Sequence, residues 1–424
     1  MKRVTYLILL SVIFFACKKE TTTESTLTLE VLRDSLSSSL KAIHKQGGIK
    51  GFGVAIVNAN TTLYTEGFGF ATLDSTKAYT KHSLQNIASV SKTLIGISLL
   101  KAQEMQKLNL DDPVNDYLPF EVINPFHPED TITIKQLATH TSSIQDGDLY
   151  DMTSYILKNA ADTVIVQSMP RVDGFNPPSA NMDMGAYLEN FLSQEGEWYQ
   201  PIHFLKQKPG QFYEYTNVGA TLAAYIVERV TETSYADFTK THILTPLGMT
   251  SSGWNADALD TTMLTQLFTD DGRQIPDYTL ITYPDGGLIT SVEDKAKYLT
   301  EIISGYSGEG QLLSKERYTL FFSEFLSESN FKEGRDTDRA FDDEYNSGLF
   351  MGHTPNGQMG HTGGDPGVSS FMFFNPETKI GKLLFINTDL NENTADQFFA
   401  IWDTLASFEK QMSAQTEKKR SNEP

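Results

Sequence analysis

Apolar and polar positions divide this chain into strand-rich ends and a helix-rich middle. Over 27–46 apolar side chains recur at helical spacing (Leu29, Val31, Leu32, Leu36, Leu40, Ile43), and Gly47-Gly48 follows as a stop. Segments 52–57 and 63–70 read as two strands around the turn Asn58-Ala59-Asn60. Over 89–108, Leu94, Ile95, Ile97, Leu99 and Leu100 cover much of a helical circumference, which predicts a helix buried in the middle of the fold.

From 111 to roughly 283 strand signals are scarce. Segments 134–139, 187–191 and 220–230 read as helices between loops bearing Pro and Gly. Segment 145–184, with Pro170, Pro177 and Pro178, is a long polar excursion, read as a lid or rim over a site ahead of a tolerated surface insertion. Strand patterns return at 368–374 and 380–387 around Asn375-Pro376-Glu377-Thr378. A last helix is predicted over 394–409 through Phe398, Phe399, Ile401, Trp402 and Leu405, and 411–424 is a charged tail expected to fray. The order predicts one mixed α/β (α+β) domain over 27–410: a sheet built from both chain ends, with a helical subdomain inserted over about 85–283.

The 424 residues carry a formal net charge of −20, with a pI of about 4.8 and no basic stripe, which excludes nucleic acid as a partner. Lys2 and Arg3 precede an apolar run over 6–16, too short to span a bilayer permanently and read as an export signal over 1–16. Cys17 follows directly and is the only cysteine, so no disulfide forms within the chain. Its placement resembles the acylation site of bacterial lipoproteins, which implies a membrane anchor at Cys17 and a solvated tether over 17–26. Lys18-Lys19-Glu20, without Asp beside the cysteine, is similar to lipoproteins of the Gram-negative outer membrane. The expected location is therefore that membrane, on its periplasmic or cell-surface face. A monomer is the expected state.

Three motifs carry the candidate chemistry: Ser89-Val90-Ser91-Lys92, Tyr215-Thr216-Asn217 and His361-Thr362-Gly363. A serine hydroxyl needs a neighbouring base to become a nucleophile, and Ser89 and Lys92, three apart, fall on one helical face. The helix N-terminus there would suit a developing oxyanion. Burial would lower the Lys92 pKa enough for it to serve as that base. Tyr215 can relay a proton if a nearby ammonium favours its phenolate, and Asn217 offers an amide to a substrate and to Lys92. His361-Thr362-Gly363-Gly364, placed just before a strand, offers a hydroxyl, a titratable cation and bare backbone.

Each motif also has a plain structural reading. Ser38, Ser329 and Ser407 each precede a lysine by three residues in polar or terminal segments, where a cap and a solvated lysine suffice. Tyr215-Thr216-Asn217 reads equally as a loop turn, and His140-Thr141-Ser142 nearly repeats the third motif. The eight His are scattered without a paired ligand spacing, no phosphate loop or dinucleotide fingerprint is present, and no cofactor is expected. Asp336, Asp338, Asp342 and Asp343 lack a calcium-loop pattern and read as a solvated face.

From about Leu27 to Phe408 the chain resembles the serine β-lactamase and penicillin-binding superfamily, in its branch of class C β-lactamases, D,D-carboxypeptidases and esterases. Supporting stretches are Leu110-Asp-Asp-Pro-Val114, 134–141, Pro209-Gly210, 244–249, Gly286-Gly287-Leu288 and Ser291-Val-Glu-Asp294. The resemblance implies an antiparallel sheet flanked by helices, acylation of Ser89, Lys92 as its activating partner and Tyr215 as proton shuttle. It further implies that Asn217, His361, Thr362 and Gly363 bind substrate and that the N–H groups of Ser89 and Gly364 form the oxyanion hole. The substrate would be a small molecule or peptide: a D-amino-acid peptide, an ester or a β-lactam. His361 stands where β-lactamases of this branch carry Lys, as in some D,D-peptidases and esterases, which ranks carboxypeptidase or esterase above β-lactamase. A catalytically weak binding or sensory lipoprotein is the alternative from another class.

Overall fold

A computed structural model describes residues 28–421 except 170, 171, 173 and 336. The expected export signal, Cys17, the tether, Pro170 and Asp336 lie outside the described residues.

Both chain ends contribute to one sheet. Its strands are β1 (Gly51–Asn58), β2 (Thr62–Gly69), β3 (Asn346–Ser347), β4 (Gly352–His353), β5 (Met359–Asp365), β6 (Val368–Asn375) and β7 (Ile380–Ile386). The order is β2-β1-β7-β6-β5-β4-β3 and every neighbouring pair is antiparallel. The first strand and the last therefore lie side by side, in the register Val54↔Leu384. Helices α1 (Leu29–His44), α4 (Val292–Tyr306) and α5 (Glu392–Ser421) pack on the sheet, and α2 (Lys92–Glu104) and α3 (Asn217–Thr231) pack against each other.

The two-residue period of the strands sorts side chains to two cores. Phe52, Val54, Ile56, Leu384 and Ile386 pack against Leu32, Leu36 and Leu40 of α1 and Phe398, Ile401 and Trp402 of α5. Ala55, Val57, Leu383 and Phe385 face the opposite way, toward Leu299 and Ile303 of α4 and a core continuous with α2 and α3. Helix α2 has buried residues on all sides, as its all-round apolar pattern predicts.

The structure departs from the sequence reading in four places. The buried helix begins at Lys92, and Ser89 belongs to a preceding 3-10 turn, Ala88–Ser91. His361-Thr362-Gly363-Gly364 does not precede a strand but lies within β5; the turn comes later, at Gly367 (φ 77°). Helix α5 runs to Ser421 instead of fraying after Glu409, because Gln, Met, Ala, Glu and Lys there favour helix and Met412 is buried in the terminal core. Finally, 145–184 is no loose polar loop. It contains a helix (Gly147–Thr153) and a strand (Tyr155–Leu157) paired with Tyr278–Leu280, and Leu157, Val166, Met169 and Phe175 form a small core with Ile275. No described helix is long and apolar enough to cross a membrane.

Candidate active site

The nucleophile candidate sits on a constrained turn. Ala88 has φ 47°, a left-handed conformation that costs a residue bearing a Cβ roughly 1–3 kcal/mol. Surrounding bonds hold this turn in place. Ser370 Oγ of β6 donates to the Ile87 carbonyl at 2.7 Å, and Leu288 N–H donates to Ser91 Oγ at 3.2 Å. Ser89 is half-buried, so its hydroxyl remains within reach of a substrate.

Lys92 opens α2 one turn later and is fully buried. Its Nζ lies 3.0 Å from Ser89 Oγ, 2.6 Å from Asn217 Oδ1 and 2.8 Å from the Asp285 carbonyl oxygen. Burial lowers its pKa below the ordinary lysine value, while the carboxylates of Asp285, Asp146, Asp365 and Asp343 pull the other way. The Tyr215 ring centroid is 5.1 Å from the same nitrogen.

Tyr215 does not become a resting phenolate. Burial dominates and raises its pKa well above the usual tyrosine range, and a hydrogen bond with Ser89 offsets this only in part. The neutral phenol stacks on His140 at 4.5 Å between centroids and lies 6.2 Å from the His361 ring. His140 thus belongs to the site: its Nδ1 accepts from Thr216 N–H at 3.2 Å, and burial keeps it uncharged.

Tyr215-Thr216-Asn217 is the N-terminus of α3, not a free turn. Thr216 is the N-cap, its hydroxyl accepting from Gly219 N–H at 3.1 Å. Asp146 completes the cap, accepting from Thr216 Oγ1 and Asn217 N at 2.7 Å each and from Val218 N at 2.9 Å. Sequence reading passed over Asp146 because it is the first acidic residue of the excursion, 70 positions from its partners. The excursion also supplies Tyr150, which donates to the buried Asp285 carboxylate at 3.0 Å, and Tyr155, which donates to Asp365 at 2.7 Å. Thr221 adds a second donor to Asp285 at 2.9 Å, and burial raises the Asp285 pKa to about 6.

The third motif forms one wall. Strand β4 pairs with β5 only at Met359 and Gly360, which leaves 361–365 without a strand neighbour on that side among the described residues. Thr362 N–H points to this side, since it donates to Asp343 at 2.7 Å; by the antiparallel alternation Gly364 N–H, two residues on, points the same way. Gly363 permits close approach to the Ser89 turn, because a Cβ there would meet the Ile87 carbonyl at 2.6 Å; one on Gly364 would meet open space. His361 is buried, with Nδ1 2.6 Å from the Thr362 carbonyl and 3.0 Å from Asp343 Oδ2. Both neighbours accept, so the ring proton sits on Nδ1. Burial lowers the His361 pKa against the pull of Asp343.

Asp343 corrects the reading of the acidic loop as a solvated face: its side chain is only 8% exposed and its carboxylate binds Thr362 and His361. Ser38 and Ser407 lie inside α1 and α5 and donate to the Asp34 and Thr404 carbonyls, and Ser329 bonds to Ser327, so all three bond locally. Among the described residues no group of three or more His, Cys, Asp or Glu could hold a metal ion.

The model of the β-lactamase family matches residues 36–406. Protein flp of Staphylococcus aureus (strain NCTC 8325 / PS 47) is 24% identical over 347 residues, 81% of this chain and 60% of that protein. Putative penicillin-binding protein PbpX of Bacillus subtilis (strain 168) is 26% identical over 284 residues, 64% of this chain and 58% of that protein. The chain thus spans about 60% of the length of these curated relatives. Among solved structures, D-alanine carboxypeptidase AmpC from Burkholderia cenocepacia superposes with a TM-score of 0.60 at 19% identity, over 88% of this chain and 99% of that one. The D-amino acid amidase from Ochrobactrum anthropi SV3 gives 0.62 at 18% identity, over 88% and 98%. On the family match, which spans nearly the whole described chain, this chain belongs to the β-lactamase family.

Proposed function

We propose that the chain is a serine acyl hydrolase working through an acyl-enzyme on Ser89, of the carboxypeptidase or esterase kind. One observation carries this reading. Two of the three partners of Lys92 Nζ, Asn217 Oδ1 and the Asp285 carbonyl, can only accept. A neutral amine has two N–H groups and one lone pair. With both N–H groups given to those acceptors, the lone pair faces Ser89 Oγ at 3.0 Å, where a general base belongs.

In this mechanism Ser89 Oγ attacks the substrate carbonyl as its proton passes to Lys92. The N–H groups of Ser89 and Gly364 receive the oxyanion. Tyr215, held as the neutral phenol, gives its proton to the leaving oxygen or nitrogen as that bond breaks, and regains one from Lys92. Water then attacks the acyl-enzyme by the reverse relay and restores the Ser89 hydroxyl. Asn217, whose Oδ1 is committed to Lys92, offers its Nδ2 to a substrate carbonyl. His361, kept from a permanent charge by burial, supports carboxypeptidase or esterase chemistry over strong β-lactamase activity. The D-alanine carboxypeptidase and the amidase among the structural neighbours accord with this range.

Intact-mass spectrometry after exposure to a fluorophosphonate and to short acyl esters tests the reading. A single adduct that Ser89→Ala abolishes is expected, and no adduct with either class of probe overturns it. Adducts that form and never turn over would instead favour a binding or sensory lipoprotein.

A further inference from the structure

We infer that Asp343 is a specificity-determining residue, which turns the Ser89 site away from substrates bearing a free carboxylate and toward esters and amides whose group at the β5 edge is uncharged or cationic. This rests on the acyl-hydrolase reading above and favours its esterase side over its carboxypeptidase side, because a carboxypeptidase must hold the free C-terminal carboxylate of its peptide.

Beyond Gly360 the edge of β5 is open to a substrate, and its first donors are the Thr362 N–H and hydroxyl. Asp343 takes both, the N–H at 2.7 Å and the hydroxyl at 2.9 Å, and sits 3.0 Å from His361 Nδ1. A threonine hydroxyl has one proton. While it donates to Asp343 it cannot also donate to an incoming anion. The groups that would neutralise a substrate carboxylate, His361 and Thr362, are thus turned onto an internal one. A second carboxylate here would meet an unscreened like charge, because the Asp343 side chain is only 8% exposed.

The arrangement is built into the chain. A Cβ on Gly352 would collide with Asp343 Cβ and O at 2.5 Å, so glycine at that position lets the segment lie on β4. Two residues earlier, Phe341 packs among Phe371, Phe373 and Trp402, at centroid separations of 6.3, 6.2 and 5.7 Å. The segment is held at both points, with Asp343 aimed at the strand edge. The wider surroundings have the same sign. The carboxylates of Asp285, Asp146, Asp365 and Asp343 all act on Lys92, and those of Asp343, Asp342 and Glu214 act on Glu344, offset by Arg339 and, at Glu214, by Lys332. A site shaped for anionic C-termini would place fixed cations here. An ester, an amide or an amine-bearing acyl donor meets no such barrier.

The test compares one electrophile with and without its charge: benzylpenicillin and benzylpenicillin methyl ester, with the rate of Ser89 adduct formation on the full chain read by intact mass (the β-lactam adduct of the ester retains its methyl group). The wild type should acylate at least 10-fold faster with the methyl ester. Asp343→Asn should raise the ratio of the free acid's rate to the ester's at least 10-fold. A wild type that prefers the free acid, or reacts equally with both, overturns the inference while leaving the acyl-hydrolase reading intact. So does a folded Asp343→Asn protein with an unchanged ratio. If circular dichroism shows that variant unfolded, the wild-type ratio decides. Absence of any Ser89 adduct, fluorophosphonate included, overturns both.

Discussion

Lys92 Nζ stands 3.0 Å from Ser89 Oγ inside the protein, with its remaining partners limited to acceptors. The proposed mechanism requires an amine able to lose its proton, which lysine can do when buried and arginine cannot. Lys92→Ala and Lys92→Arg should therefore fail alike, each lowering the rate of Ser89 acylation by roughly 10²–10⁴, the usual worth of a general base. Stopped-flow acylation with an activated ester measures this. Retention of more than a tenth of the rate by Lys92→Arg would show that the residue serves as a fixed cation instead.

The same relationship fixes a pH dependence. The Lys92 pKa lies below the ordinary lysine value, so acylation should rise with pH through that titration and fall on its acid side. Asp285 is the foremost charge supporting the ammonium form. Asp285→Asn should lower the Lys92 pKa further and move the acid limb of the rate profile to lower pH. Asp285 titrates at about 6 in the fold against 3.8 as its ordinary value, so the native state holds this proton more tightly than the unfolded chain does. Its contribution to stability is complete below pH 3.8 and is lost as pH rises through about 6, on the order of 2–3 kcal/mol. Urea melts between pH 4 and 7 should show that slope in the wild type and not in Asp285→Asn; matching slopes would refute it.

The legible parts of this fold were those with one dominant period. Strands β1 and β7 are buried on both faces, and the pattern of α1 matches one buried stripe of Leu32, Leu36 and Leu40. Strand β5 was hidden because Met359-Gly-His-Thr-Gly-Gly-Asp365 offers almost no apolar alternation: one face lies against the Ser89 turn and its edge lies open, so its strand character comes from pairing with β6. Within the candidate site, Ser89, Lys92, Tyr215, Asn217 and His361 are legible because each stands in a short motif and the three motifs keep one order along the chain. Asp146, His140 and Asp343 were missed as site members because each acts across 70, 75 and 18 positions on residues a linear reading cannot pair with them (Thr216, Tyr215 and His361). Asp343 also carried a misleading signal, standing in a run of acids that suggested solvent.

Asp146 should prove structural and kinetic at once. Its carboxylate receives three donors at the head of α3, including the backbone N–H of Asn217, the residue bonded to Lys92. Asp146→Ala leaves those donors unpaired and should cost roughly 2–3 kcal/mol. It should also lower kcat/KM about 10- to 100-fold, through Asn217 drifting from Lys92. Asp146→Asn keeps one acceptor oxygen and should recover part of both. Equilibrium unfolding and steady-state kinetics on the pair separate the effects, and a variant with lowered stability but unaltered kcat/KM would confine Asp146 to capping.

The terminal helix offers a stability test remote from the chemistry. Lys382 on β7 and Glu409 on α5 form a buried pair at 2.5 Å, with side chains 3% and 9% exposed, and the same ammonium lies 5.0 Å from the Trp402 ring centroid. Removing one partner leaves a charge in the terminal core without its counter-ion. Glu409→Ala should therefore cost about 3–5 kcal/mol, more than a surface pair would. Replacing both with apolar side chains removes the stranded charge: Lys382→Met with Glu409→Leu should regain most of that loss. Because the pair sits on the face of the sheet opposite α4, on the α1–α5 side, Ser89 acylation in the folded double variant should stay within 2-fold of wild type. A double variant no more stable than Glu409→Ala would show that the pair, and not the isolated charge, sets the stability of this layer.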